Sequence, residues 1–444
     1  MYAGQEFNMR EQEKADFLRY NTLLNDPVPE KRLAHLQTLV NSAVPEGYGE
    51  APPAYYVNNH IHTTFSFSPY TASMAVWMSR LSGLQVAGIV DHDTVSGVRE
   101  FARAGAIAGI AVTKGVECRV NFAATPLAGR LINNPDQAGI AYVAVHGIPD
   151  SRTDRIDRFF APYREARNRR NRLMVERLNH LLAPFSLTLD FDRDILPFTS
   201  AVNGGTVTER HLLFGLIVKL LSVLEKGKEI IAFLRKELQI AIPVRNLSYL
   251  EDTANPWYAF DLVNVLKSSL VERFYVPADE ECPDVQEVIA LAAAAEAIPA
   301  YAYLGDMTEA ATEDKKPQQF EDAYLELLFT VIKSLGFRAV TYMPARNSRA
   351  QIMRIQKLCR HYDLFQICGE DINSPRQPFV CEALKENGME HLVDAAWALV
   401  GHEQQADRDS AYGFFSAETM ARYPHLEERA RVFRDAAQRR GNDG

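Results

Sequence analysis

Val57-Asn58-Asn59-His60-Ile61-His62-Thr63-Thr64 closes a short apolar run that begins at Ala54. Read as a buried strand, it puts residues i and i+2 on one face, so His60 and His62 both point into one pocket. Neutral imidazole is the commonest metal ligand, and two on one rigid face supply half of a four-coordinate site. Further along, Val86-Ala87-Gly88-Ile89-Val90 reads as a second strand and ends in Asp91-His92-Asp93. Thr71 to Leu84, between the two, has helical spacing. Acid and imidazole groups thus fall at the carboxyl ends of successive strands, where α/β folds place their chemistry. Taken singly, His-x-His is as readily surface decoration, and Asp-His-Asp can cap a helix. Their repetition favours a metal.

The alternation continues with a helix over 95–109 and a strand over 111–118 that carries Gly115-Val116-Glu117. A buried, unpaired Glu117 would be costly, and a metal removes that cost; pairing with Arg119 or Lys114 is the plain alternative. Leu127–Asn133 and Ala138–Ile148 read as further strands, the second ending in His146. Residues 151–183 form a long arginine-rich helix, read first as a solvated face and second as a phosphate-facing patch. Gly204-Gly205 then turns into Thr208-Glu209-Arg210-His211. Thr208 is placed to cap the next helix, whose N-terminus favours anions. Against this, Arg210 could pair with Glu209 and His211 could pack inside. Strands return at 299–306, 339–342 and 364–367, each behind a helix, and the last runs into Cys368-Gly369-Glu370-Asp371-Ile372-Asn373. The expected organisation is a helical extension over 1–53, a barrel in two parts (54–149 and 284–400), a helical insertion over 150–283, and a charged helical tail over 401–444.

The 444 residues are 47% hydrophobic and 24% charged, ordinary for a globular protein. A net charge of −9 disfavours a partner as anionic as long nucleic acid. Five cysteines without Cys-x-x-Cys argue against a disulfide scaffold or structural zinc. Met1 to Glu6 holds no basic start to an apolar leader, and no apolar run is long enough to span a bilayer. A cytoplasmic setting is expected; a homo-oligomer is compatible with the sequence.

His60-Ile61-His62-Thr63, Ile89-Val90-Asp91-His92-Asp93-Thr94 and Gly115-Val116-Glu117, followed by His146 and Asp371, resemble the PHP (polymerase and histidinol phosphatase) family over roughly residues 54–395. The insertion is similar to that of the family's nucleotide phosphoesterase branch, with Thr208-Glu209-Arg210-His211 at the matching helix start. The resemblance implies a distorted (β/α)7 barrel that hydrolyses phosphate esters with manganese, zinc or iron. It assigns His60, His62, Glu117 and Asp371 to a first metal position, and Glu117 and His146 to a second. Glu117 would bridge, Asp91 would support or accept a proton, and His92 would orient substrate or act as acid. Arg210, His211 and Arg376 would hold phosphate, Arg376 because its fork matches phosphate bidentately.

Three departures bear on that assignment. Phe67 and Ser68 stand where the family has a ligand after His-x-His. Asn373 replaces the histidine of its closing Asp-x-His, and Tyr303 aligns with another family histidine, next to substrate. One or two divalent ions are therefore expected rather than three. The expected function is hydrolysis of a small phosphomonoester or nucleotide. The alternative is a catalytically degenerate barrel that acts as a metal- or ligand-binding or regulatory module.

Overall fold

The computed structural model describes residues 11–42, 56–307 and 319–441. Sequence expectations for Ala54 and Tyr55, for residues 1–6 and for the chain's last three residues lie outside these. Seven strands form one sheet in chain order: β1 Val57–Ile61, β2 Val86–Ile89, β3 Ala111–Asn121, β4 Ile140–His146, β5 Ile298–Tyr303, β6 Ala339–Tyr342 and β7 Phe365–Cys368. β1 to β3 are parallel and so are β5 to β7, while β4 is antiparallel to both neighbours. A bridge between Ile61 and Ile372, just past β7, brings the last strand back to the first. The result is a nearly closed, distorted α/β barrel with helical extensions.

Along β1 every residue is buried, as expected for a parallel strand covered on both faces. Outside β1 to β3 pack α1 Glu11–Leu24, α2 Pro29–Asn41, α3 Ala72–Leu81 and α4 Val98–Ala108. Thr71 starts α3 by accepting the Met74 N–H at 3.2 Å. The residues after β4 are helical: α5 Thr153–Leu182, α6 Glu209–Leu221, α7 Lys228–Ala232, α8 Val244–Glu251 and α9 Tyr258–Phe274. They build a second apolar core of their own. Around the second half of the barrel lie α10 Val285–Ala294, α11 Leu325–Leu335 and α12 Arg349–His361.

Three helices follow: α13 Glu390–Ala406, α14 Ala417–Arg422 and α15 Leu426–Gly441. Ala395, Ala398 and Leu399 of α13 pack on Ile298 and Ala300 of β5, Ala339 of β6 and Ile367 of β7. Glu403 of α13 accepts the Lys114 N–H at 2.7 Å, fixing this helix beneath the end of the barrel opposite the site described below.

Two expectations change. Leu127–Asn133 is not a strand. Its backbone turns, with Ala128 N–H on Thr125 O and Arg130 N–H on Leu127 O, and Leu127 and Ile132 fill core from a loop. The strand ending in His146 is antiparallel, so its carboxyl end does not lie with those of β1 and β2. Its register sets His146 opposite Gly115, one step along β3 from Glu117 toward the floor.

Candidate metal centre

The closure of the barrel decides where the histidines go. Asn58 Nδ2 donates to Glu370 O at 3.1 Å, and Asn59 Nδ2 donates to Cys368 O at 2.9 Å. These amides stitch β1 to the end of β7 and the chain just after it, a role that the sequence did not reveal. Gly369 permits the approach: a Cβ there would lie 2.6 Å from the Cβ and N of His60. Asp371 is thereby delivered beside the histidines, with Oδ1 3.3 Å from His62 Nε2.

His60, His62 and Glu117 form one buried group whose ligand atoms lie within 4.8 Å of one another. His60 Nε2 is 3.6 Å and His62 Nε2 3.7 Å from the Glu117 carboxylate. Both Nε2 atoms are buried without a hydrogen-bond partner. Burial by itself would lower the His60 pKa, but Glu117 overcomes it and raises the imidazole to about 9. Burial likewise works against Glu117, yet His60 and His92 hold it well below the carboxylate range. Asp371, also opposed by burial, is held low by His62 and His60. Orphaned imidazole nitrogens facing two ionised carboxylates fit a divalent cation of borderline character. Glu117 pairs with neither Arg119 nor Lys114, whose partners lie elsewhere.

The His62 ring is set from behind. Its Nδ1 lies 3.2 Å from Ser66 Oγ, which donates to Asp91 Oδ1 at 2.6 Å. Asp91 also accepts the Thr63 N–H at 2.7 Å and the Thr63 hydroxyl at 2.5 Å. Asp91 therefore braces the loop that orients His62 and does not face the cluster itself, an arrangement that fixes a ligand's tautomer. His92 Nδ1 lies 3.1 Å from Glu117 Oε2, and its ring sits 4.6 Å from that of His62.

His146 remains outside the group of three because of the reversed strand. It is buried, its Nε2 is unpartnered, and burial lowers its pKa to about 3, with His60 acting in the same direction. Asn373 Nδ2 donates to Asp371 Oδ1 at 2.6 Å. Phe67 turns its ring to His211 at 5.0 Å and to Phe260 at 5.8 Å.

The expected phosphate ligands separate. Arg210 makes no hydrogen bond or ion pair among the described residues; its guanidinium stands 6.0 Å from the Phe67 ring, and Asp371 is the acid that bears most on it. Glu209, its expected partner, binds Arg170 at 2.8 Å instead. His211 Nδ1 accepts the Thr208 N–H at 3.0 Å, closing a cap on α6. Arg376 is taken elsewhere: its fork binds Asp261 at 2.6 and 2.8 Å, and it stacks 3.5 Å from the Tyr249 ring. Tyr303 is likewise remote. Strand alternation puts it on the face of Tyr301, and its hydroxyl donates to Asp322 Oδ1 at 2.6 Å in the segment before α11.

Two arginines of the arginine-rich helix have another use. Arg167 and Arg170 of α5, with Arg119, meet Asp93, Glu209 and Glu281 in a buried network. At Arg167 and Arg170 the helix is a clamp between insertion and barrel, whereas Arg155, Arg158, Arg169, Arg172 and Arg177 are exposed, as the solvated-face reading expects.

No family profile matches the chain, and no curated protein is significantly similar to it. Among solved structures, a Bifidobacterium adolescentis protein provisionally described as a metal-dependent phosphoesterase shares the fold. Its TM-score is 0.51 at 22% identity, over 78% of this chain and 97% of that one. An amidohydrolase from Chromobacterium violaceum, with bound sulfate and no metal, aligns at TM-score 0.48 and 16% identity over 73% and 90% of the two chains.

Proposed function

We propose that the protein is a metal-dependent phosphoesterase of the PHP type, acting on a small phosphomonoester or nucleotide. The observation that carries this reading is the buried His60–His62–Glu117 group with unpartnered nitrogens, and an uncommitted Arg210 beside it. The fold shared with a protein described as a phosphoesterase supports it. His60, His62, Glu117 and Asp371 would hold one ion, manganese, zinc or iron; His146 with Glu117 is the remaining set for a second. When bound, such an ion polarises a phosphoryl oxygen and makes water more acidic. Arg210, which has no ion-pair partner among the described residues, would hold the phosphate. His92, hydrogen-bonded to Glu117, holds that carboxylate in place. Asp91 and Ser66 keep the Nε2 of His62 turned inward. The substrate is small rather than polymeric, in keeping with a net charge of −9. A cytoplasmic setting belongs to the same proposal; among the described residues no helix is long and apolar enough to cross a membrane.

A second reading, a barrel that binds metal or ligand without turnover, is favoured by Tyr303, whose hydroxyl is committed to Asp322. Metal analysis of the purified chain, joined to a phosphatase screen with each metal, decides between them. Phosphate release that disappears on chelation and returns with metal is expected. Bound metal with no turnover on any ester would leave the second reading.

A further inference from the structure

Between α1, the loop after His62 and the inserted helices lies a cavity of about 270 Å³. Its wall includes Phe67, Phe214, Phe260 and Trp257, with Leu18 from α1 and His211 from α6. The rings interlock: Phe67 lies 6.2 Å from Phe214 and 5.8 Å from Phe260, and Phe214 lies 5.9 Å from Phe260. Among the described residues, no Lys, Arg, Asp or Glu lines the cavity. Its volume is close to the lower end of small-molecule sites, about 300 Å³.

Two features mark the cavity as a site rather than a packing gap. Phe67 adopts φ +94, a strained conformation for an aromatic residue that persists only where its surroundings impose it. His211 is 2% exposed, and its Nδ1 accepts from Thr208 N–H, so the ring proton sits on Nε2. That N–H is the one not engaged by Thr208, and His211 lines the cavity. Burial lowers the His211 pKa to about 3, which keeps the ring neutral and this tautomer in place.

The cavity also adjoins the metal centre. Thr64, two residues past His62, lines it, and Arg210 precedes His211 on α6. We infer that this cavity is a specificity pocket for a flat, uncharged aromatic ring carried by the substrate, with His211 Nε2–H donating to an acceptor on that ring. The inference rests on the phosphoesterase reading for the phosphate to which the ring is joined. A nucleobase and a simple aryl group share the chemistry.

The test titrates the full chain, with and without Mn²⁺, with phenyl phosphate, adenosine and glycerol 2-phosphate while tryptophan fluorescence is followed. Trp257→Phe removes the reporter and leaves the other two tryptophans, Trp77 and Trp397. Saturable quenching by phenyl phosphate or adenosine, lost in Trp257→Phe and absent with glycerol 2-phosphate, is expected. Phe260→Ala should weaken it about tenfold. Leu18→Arg, at a position 49% exposed and so safe for folding, should do the same by placing a charge at the wall. Tighter adenosine assigns the ring to a nucleobase, and tighter phenyl phosphate to an aryl ester. No quenching by either ring, or quenching unchanged in Leu18→Arg, overturns the inference. Quenching that persists while no ester is hydrolysed with any metal overturns the phosphoesterase reading and leaves the pocket standing.

Discussion

Glu117 and Arg119 stand two residues apart on one face of β3, both buried, and their surroundings differ in kind. Around Arg119 the charges match: three guanidiniums, of Arg119, Arg167 and Arg170, meet the carboxylates of Asp93, Glu209 and Glu281. Around Glu117 the neighbours are imidazoles, and two of them keep a buried nitrogen without a partner. A buried acid is not by itself a sign of function. What separates the two clusters is the kind of group that faces the acids: permanently charged guanidiniums in one, imidazoles with metal-ligating nitrogens in the other. The arginine cluster sets three cations against three acids and locks the insertion to the barrel, although it too holds buried atoms without a hydrogen-bond partner, Arg119 Nε and Glu281 Oε2 among them. The histidine cluster offers the donor set of a divalent-cation site.

The comparison breaks most sharply at His60. His60→Ala should abolish metal-dependent turnover and the extra thermal stability conferred by metal, since bound ligand stabilises only the folded state. The metal-free melting temperature should stay near that of the parent chain. A large fall in the metal-free melt would mean that His60 is structural, as Arg119 is.

Glu281→Ala is the reciprocal case. It leaves Arg119 and its neighbours short of a carboxylate in the interior, which costs about 3–5 kcal/mol. Thermal unfolding should show the loss, while metal content per folded chain at low temperature is retained. Loss of metal with an unchanged melt would reverse the roles assigned to the two clusters.

The smallest effect is expected at Ser66. Ser66→Ala removes the link between His62 Nδ1 and Asp91 and should weaken metal binding about 10-fold to 100-fold, measured by chelator competition. An unchanged affinity would show that Thr63 and Asp91 hold the loop without it.

Much of this was legible in the sequence. Apolar runs of strand length alternating with helical spacing marked an α/β fold with parallel βα units, and the resemblance carried by the motifs added the barrel. His60, His62, Glu117 and Asp371 could be singled out because each ends, or closely follows, such a run. What was not legible was direction. An antiparallel strand and a parallel one share the same two-residue period, so the reversal of β4 left no trace in the residues before His146. Pairing was equally hidden. Arg376 and Arg210 look alike in a sequence, and only the fold shows that Asp261 occupies one of them. The helix from Glu390 to Ala406 was missed because it is buried on nearly all sides and lacks a polar stripe. Asn58 and Asn59 looked like filler before a motif, since backbone carbonyls 300 residues away cannot be anticipated.

The reversal of β4 has a mechanical consequence. The strand ends toward the floor, so the chain must climb back to reach the open end, and α5 is the ladder. Asp150 binds Lys114 and the Ser151 N–H binds Asp407 at the bottom, while Arg167 grips Asp93 above. From Thr153 to Arg167 the helix rises about 21 Å. Ile156 and Phe160 belong to the barrel's core, whereas Met174 and Leu178 belong to the insertion's. The helix thus acts as a ruler between two cores. Adding or removing one residue would swing everything beyond it by about 100° and pull Arg167 off its acid, whereas a change of seven, close to two full turns, would nearly restore the angle but lift the whole insertion by about 10 Å. A change of length should therefore be accommodated most easily on the far side of the insertion, beyond Leu182, where it carries no phase.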